Sequence, residues 1–143
     1  MDCPKVNESR YGRCLYFASN ALARKTEKMA VEAWKKTGLS PSHAYLLMIV
    51  LDEPGVQPGR LSAELHLTPS TVTRLIEKLE SKKLVVRTTE GKTTMVYPTT
   101  KSKEMKPLME QCVADFYRVC TAQIGKEEAN RFVSSMNKIN DKL

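Results

Sequence analysis

The chain has 143 residues, of which 41% are apolar and 27% charged, with a formal net charge of +7. That length suits one domain with its own core, and the composition is ordinary for a soluble globular protein. No stretch approaches the ~18 apolar residues needed to span a bilayer, and the segment MDCPKVNESR carries no apolar signal core, so a cytoplasmic location is expected.

The basic excess is uneven. Residues 57–106 hold ten Lys/Arg against five Asp/Glu, whereas residues 107–143 hold five of each. A positive surplus gathered in one third of a chain points to a polyanionic partner. The four cysteines, Cys3, Cys14, Cys112 and Cys120, form no CxxC pair and have no histidine clustered with them. Neither a metal nor a cofactor is therefore expected. His43 and His66 are far apart, and the sequence has no nucleophile elbow, phosphate loop or metal-ligand spacing. Enzymatic chemistry is not expected.

Residues 7–37 predict one long helix, interrupted in composition only by Gly12. Tyr11, Leu15, Ala18, Leu22 and Met29 follow a spacing of about 3.5 residues, the seam of a helix that packs on another long helix or another subunit. Gly38 suits the position just past a helix end. Ser40-Pro41 opens the next helix, which runs to about Asp52. Its AYLLMIVL core is apolar on every side, the mark of a helix buried all round. Two Pro and two Gly between Asp52 and Gly59 predict a loop.

The segment RLSAELHLTPSTVTRLIEKLES, from Arg60 to Ser81, predicts a short helix, a tight turn and a longer helix. Leu61 and Leu65 face inward from the first. His66 stands at the turn, where a positive φ is tolerated better by His than by most residues. Thr68 can cap the longer helix and Pro69 fits its first position. Val72, Leu75, Ile76 and Leu79 make one apolar stripe. The opposite face carries Ser70, Thr71, Thr73, Arg74 and Lys78. Short hydroxyls and long cations suit a helix in a DNA major groove, where Arg reads guanine and hydroxyls reach phosphates.

Leu84–Thr89 and Thr93–Tyr97 are rich in β-branched residues and flank Glu90-Gly91-Lys92, which predicts a hairpin. A hairpin directly after a recognition helix is a wing. Arg87 and Lys92, with Thr93 and Thr94, would lie near the flanking backbone or minor groove. A helix from about Thr100 to Gln123 follows, with Pro107 expected to bend it. Met105, Leu108, Met109, Cys112, Val113, Phe116 and Cys120 form its stripe. After Gly125 a last helix shows Ala129, Phe132, Val133, Met136 and Ile139 on one face, expected to be buried. Such terminal helices exceed what a small DNA-reading module needs. They imply a homodimer that sets two recognition helices on a palindrome.

Over GLSPSHAYLLMIVL and LSAELHLTPSTVTRLIEKLESKKLVVR the sequence resembles the MarR family of winged helix-turn-helix transcriptional regulators. The resemblance implies a fold that is mainly α with a small β-wing. Residues 1–40 would be an N-terminal dimerisation helix, residues 41–99 a winged DNA-binding lobe, and residues 100–143 the C-terminal dimerisation helices, all in one integrated domain. It implies contacts to double-stranded DNA by Ser70, Thr71, Thr73, Arg74 and, at the wing's base, Arg87. It further implies a repressor, released from its operator by a small phenolic ligand or by cysteine oxidation. The wing tip EGKTT departs from the family, being short and lacking the usual Arg, with Lys92 as the available substitute. From that departure comes the alternative of a protein-interaction module that has lost specific DNA reading.

The family's peroxide-sensing branch carries a reactive cysteine early in its first helix. By that likeness Cys14, beside Arg13 and with Tyr45 similar to a partner tyrosine, is a possible redox sensor; a half-buried packing cysteine is the alternative. Cys112 and Cys120 are expected in the core, and Cys3 to be incidental. Tyr16, Trp34 and His43 are candidates to line a ligand pocket between the dimer helices and the DNA lobe.

Overall fold

A computed structural model describes residues 4–143; Cys3 lies outside the described residues. Six α-helices and one hairpin follow in chain order: α1 (Leu15–Trp34), α2 (Pro41–Asp52), α3 (Pro58–Leu65), α4 (Pro69–Ser81), β1 (Val85–Glu90), β2 (Thr93–Pro98), α5 (Thr100–Ile124) and α6 (Lys126–Lys142). The arrangement is mainly helical with a two-stranded antiparallel sheet.

The first helix is shorter than its sequence pattern predicts. Val6–Glu8 forms a single 3-10 turn, and α1 begins only after Cys14, whose backbone is extended. Gly12 explains the break. A Cβ there would run into the Val6 carbonyl, so the chain doubles back where only glycine fits. At the other end a 3-10 turn over Lys35–Thr37 closes on Gly38, in the left-handed region at φ 73°, as a glycine past a helix end should.

Helix α2 is the hub. Ala44, Leu46, Leu47 and Val50 have no exposed surface, and the helix packs against α1, α3, α4, α5 and β2. The burial expected on every side is incomplete: Tyr45 is 39% exposed, and Met48, Ile49 and Leu51 are half-buried. Around α2 the core gathers Trp34, Leu61, Ile76, Leu79, Val85, Val96 and Met109 from every other element except α6. The loop before α3 does more than connect. Val56 pairs with Val96 as an isolated bridge, a short third rung beside the hairpin.

The hairpin pairs Val85 with Pro98 through Glu90 with Thr93, leaving Gly91-Lys92 as a two-residue turn. Gly91 takes φ 62°, the positive angle that such a turn needs. Thr99 then caps α5: its Oγ1 accepts from the Ser102 amide at 3.2 Å and donates to the Lys83 carbonyl at 2.8 Å. The wing's exit strand is thus tied to the end of α4. Helix α5 continues through Pro107.

The terminal helices leave apolar surface uncovered. Leu15 is 63% exposed on α1, and Phe132, Val133 and Ile139 are 43%, 51% and 46% exposed on α6. The α6 face expected to be buried is therefore not buried by this chain itself, because α6 contacts only α5 to any extent. Leu108 and Val113 of the α5 stripe are likewise exposed, while Met109 and Cys112 are buried.

Candidate nucleic-acid interface

Helix α4 is rigidly seated. Val72, Leu75, Ile76 and Leu79 are buried beneath it, and α2, α3 and β1 support it. Burying four aliphatic side chains contributes on the order of 1.5–3 kcal/mol each. Its start is fixed by the Thr68 side chain, which accepts from the Thr71 amide at 3.4 Å, with Pro69 at the first helical position. The turn before it is closed by Ser62, whose hydroxyl donates to the Leu67 carbonyl at 2.5 Å. His66 adopts φ 52°, the left-handed turn geometry foreseen for it.

The end of α4 shows a Schellman motif without glycine. The Leu84 amide donates to the Leu79 carbonyl and the Lys83 amide to the Glu80 carbonyl, each at 2.9 Å. Lys83 takes the left-handed position at φ 61°, and Leu79 and Leu84 bury the accompanying apolar contact. The helix ends at Ser81, as its sequence pattern predicts; with no glycine here, the left-handed angle at Lys83 had no sequence signal.

The outward face of α4 carries the candidate residues. Ser70, Thr73, Arg74 and Lys78 are exposed, and Thr71 is half-buried. The hydroxyls are already organised: Thr71 Oγ1 lies 2.9 Å and Ser70 Oγ 3.3 Å from Thr68 Oγ1, and Thr73 donates to the Pro69 carbonyl at 3.0 Å. Among the described residues neither Arg74 nor Lys78 takes part in an ion pair. Their cations stand ready for an external anion.

On the wing, Lys92 and Thr93 are exposed at the tip. Arg87 differs. It lies two residues beyond buried Val85, on the same strand face, and its guanidinium donates to Glu80 of α4 at 2.8 Å. That hydrogen bond holds the Arg87 pKa above its ordinary value, against a smaller opposing effect of burial. Arg87 thus ties the wing to α4.

The three residues expected around a ligand pocket do not converge. Trp34 is sealed in the core, Tyr16 is 77% exposed, and His43 lies in the first turn of α2 beside α4. A different cavity, of 370 Å³, opens among α1, α2, the turn after α3, and α5, with Glu27, Ser42, Tyr45 and Phe116 in its wall. Tyr45 stacks edge-on against Trp34 at 5.6 Å, and burial raises its phenol pKa. Cys14 is an exposed free thiol just ahead of α1, Cys112 is buried with its pKa raised by that burial, and Cys120 is half-buried. Among the described residues no cluster of metal-binding side chains occurs. No helix there is long and apolar enough to cross a membrane.

A two-helix turn carrying an outward polar helix, followed by a hairpin and framed by long terminal helices, defines a winged helix-turn-helix protein. The model of the MarR family matches residues 37–93. Solved structures share the fold along nearly the whole chain. A MarR-family transcriptional regulator from Rhodococcus sp. RHA1 aligns at 19% identity with TM-score 0.78, covering 92% of this chain and 95% of its own. A mutant MarR from E. coli, complexed with operator DNA, aligns at 16% identity with TM-score 0.80, covering 92% and 99%. CouR from Rhodococcus jostii RHA1, bound to p-coumaroyl-CoA, aligns at 18% identity with TM-score 0.75, covering 96% and 95%. No curated protein matches the sequence significantly. The MarR-family match thus spans the helix-turn-helix and the start of the wing, and the solved structures show that the whole chain shares their fold.

Proposed function

We propose that this protein is a transcriptional repressor that reads a palindromic operator as a homodimer. One observation carries the reading: Arg74 and Lys78 project, without ion-pair partners among the described residues, from a helix whose other face is locked into the core. Such a helix presents a preset pattern of donors to base edges and phosphates. Ser70, Thr71 and Thr73 supply the hydroxyls beside them. Lys92 and Thr93 reach the flanking backbone from the wing, and Arg87 holds that wing in place. The uncovered faces of α1 and α6 supply the dimer contact, and a two-fold pair matches a two-fold operator. A similar fold bound to operator DNA supports the assignment.

The signal that releases DNA enters from one of two places. The cavity walled by Tyr45 and Phe116 has the mixed apolar and hydroxyl lining that suits a small phenol. Exposed Cys14 is the site open to oxidation.

Selection of duplexes from random-sequence DNA by the full-length protein tests the reading. A recovered inverted repeat, bound less tightly by about 1–3 kcal/mol in Arg74→Ala, is the expected result. Recovery of no duplex at low salt would overturn it in favour of a protein-binding role. Repeating the assay with salicylate-like phenols, and with peroxide on the parent and Cys14→Ser, separates the two release routes.

A further inference from the structure

The first turn of α2 lies against the C-terminal half of α4. Lys82, just past the end of α4, sends its ammonium to the Gly38 carbonyl at 3.2 Å, across to the residues preceding α2. Lys101 in turn donates to the Lys82 carbonyl at 3.2 Å. His43 sits half-buried beside this group, and Lys82 and Lys78 are the charged side chains that act on it. Among the described residues no carboxylate offsets them. Nδ1 of His43 is 2.5 Å from the Ser40 hydroxyl; with that hydroxyl as donor, the neutral ring carries its proton on Nε2, which has no hydrogen-bond partner among the described residues. Lys78 also belongs to the outward face of α4, so this cluster continues that face around the helix end.

Burial is the larger effect that disfavours the protonated imidazole, and the neighbouring cations Lys82 and Lys78 add to it, so the His43 pKa is lowered in the free protein. A phosphodiester placed among these groups would reverse that balance, because an anion favours the charged ring. We propose that His43, Lys78 and Lys82 form a phosphate clamp on the DNA strand flanking the groove that α4 enters, and that His43 gains a proton when the clamp closes. This rests on the reading of α4 as a DNA-binding helix. The proton comes from solvent and enters at Nδ1. The Ser40 hydroxyl turns from donor to acceptor, and Nε2–H donates to the phosphate oxygen.

The consequence is DNA affinity that rises with acidity through one identified side chain. The test uses a duplex recovered by selection from random-sequence DNA. Because the chain has only two histidines, ring NMR signals can be assigned with His66→Gly and followed against pH. His43 should titrate below its ordinary range alone and above it in the complex. Parent affinity should be at least about three-fold tighter near pH 6 than near pH 8, with that difference abolished in His43→Gln. Lys78→Gln should lower the salt slope by about one. An unchanged His43 titration on DNA, or a parent-like pH profile in folded His43→Gln, overturns the clamp while leaving the DNA reading intact. If His43→Gln fails to fold by circular dichroism, the parent titration alone decides. A parent that selects no duplex overturns both.

Discussion

The guanidinium of Arg87 on β1 donates to the carboxylate of Glu80 on α4 at 2.8 Å, joining the wing to α4. Both side chains are about a third exposed, at 34% and 32%. Solvent screening therefore limits the pair to about 1 kcal/mol or less. Its value lies in orientation, since Glu80 sits on the same helix as Arg74 and two residues beyond Lys78. Arg87→Gln and Glu80→Gln should destabilise alike, and the double variant should cost no more than either single change. Urea melts of the four proteins check this. Arg87→Gln should also change the salt slope of DNA binding less than Arg74→Gln does.

Two non-glycine residues hold left-handed backbone at opposite ends of α4, His66 at φ 52° and Lys83 at φ 61°. An L residue with a Cβ is strained there. Lys83→Gly should raise stability by about 0.5–1 kcal/mol, because strain relief exceeds the added freedom of the unfolded chain. His66→Gly should act similarly, and His66→Val should destabilise. Thermal melts in one buffer measure all three.

Acid should weaken the fold through His43. Its pKa is lowered by burial first, then by Lys82 and Lys78, from an ordinary 6.5. The unfolded chain thus binds the proton more readily than the folded one, and stability rises with pH across that window. Stability is complete above about pH 6.5 and falls as pH drops below it. His43→Gln should lose less stability than the parent between about pH 7 and pH 5.5, as read from urea midpoints. A parent-like loss in the variant would reassign the acid sensitivity to another group.

Phe132 and Val133 leave 43% and 51% of their surface exposed on α6, a helix with no buried residue of its own. A second copy that covers this face would bury the apolar surface. On the proposed homodimer, Phe132→Asp should give a monomer in sedimentation and weaken binding of the selected duplex by at least about ten-fold, since one copy of α4 then binds without its twin. An unaltered sedimentation coefficient would place the dimer contact elsewhere.

Local rules decided much of this protein in advance. Thr68-Pro69, the Val72–Leu79 stripe and the β-branched runs around Gly91 specify α4 and the wing through capping, periodicity and turn chemistry. Those effects act over a few residues and need no distant partner. Other features were settled only by assembly. Gly12 became a chain reversal because Val6 folds back upon it. Val56 became a third rung because Val96 arrives beside it. Lys83 accepts a left-handed angle because Leu79 and Leu84 hold the turn closed. Arg87 and Glu80, Lys82 and Gly38, and His43 with its lysines meet across gaps of sequence that no local pattern spans. Contacts between distant segments depend on how the elements pack, and packing is set by the shape of the whole core.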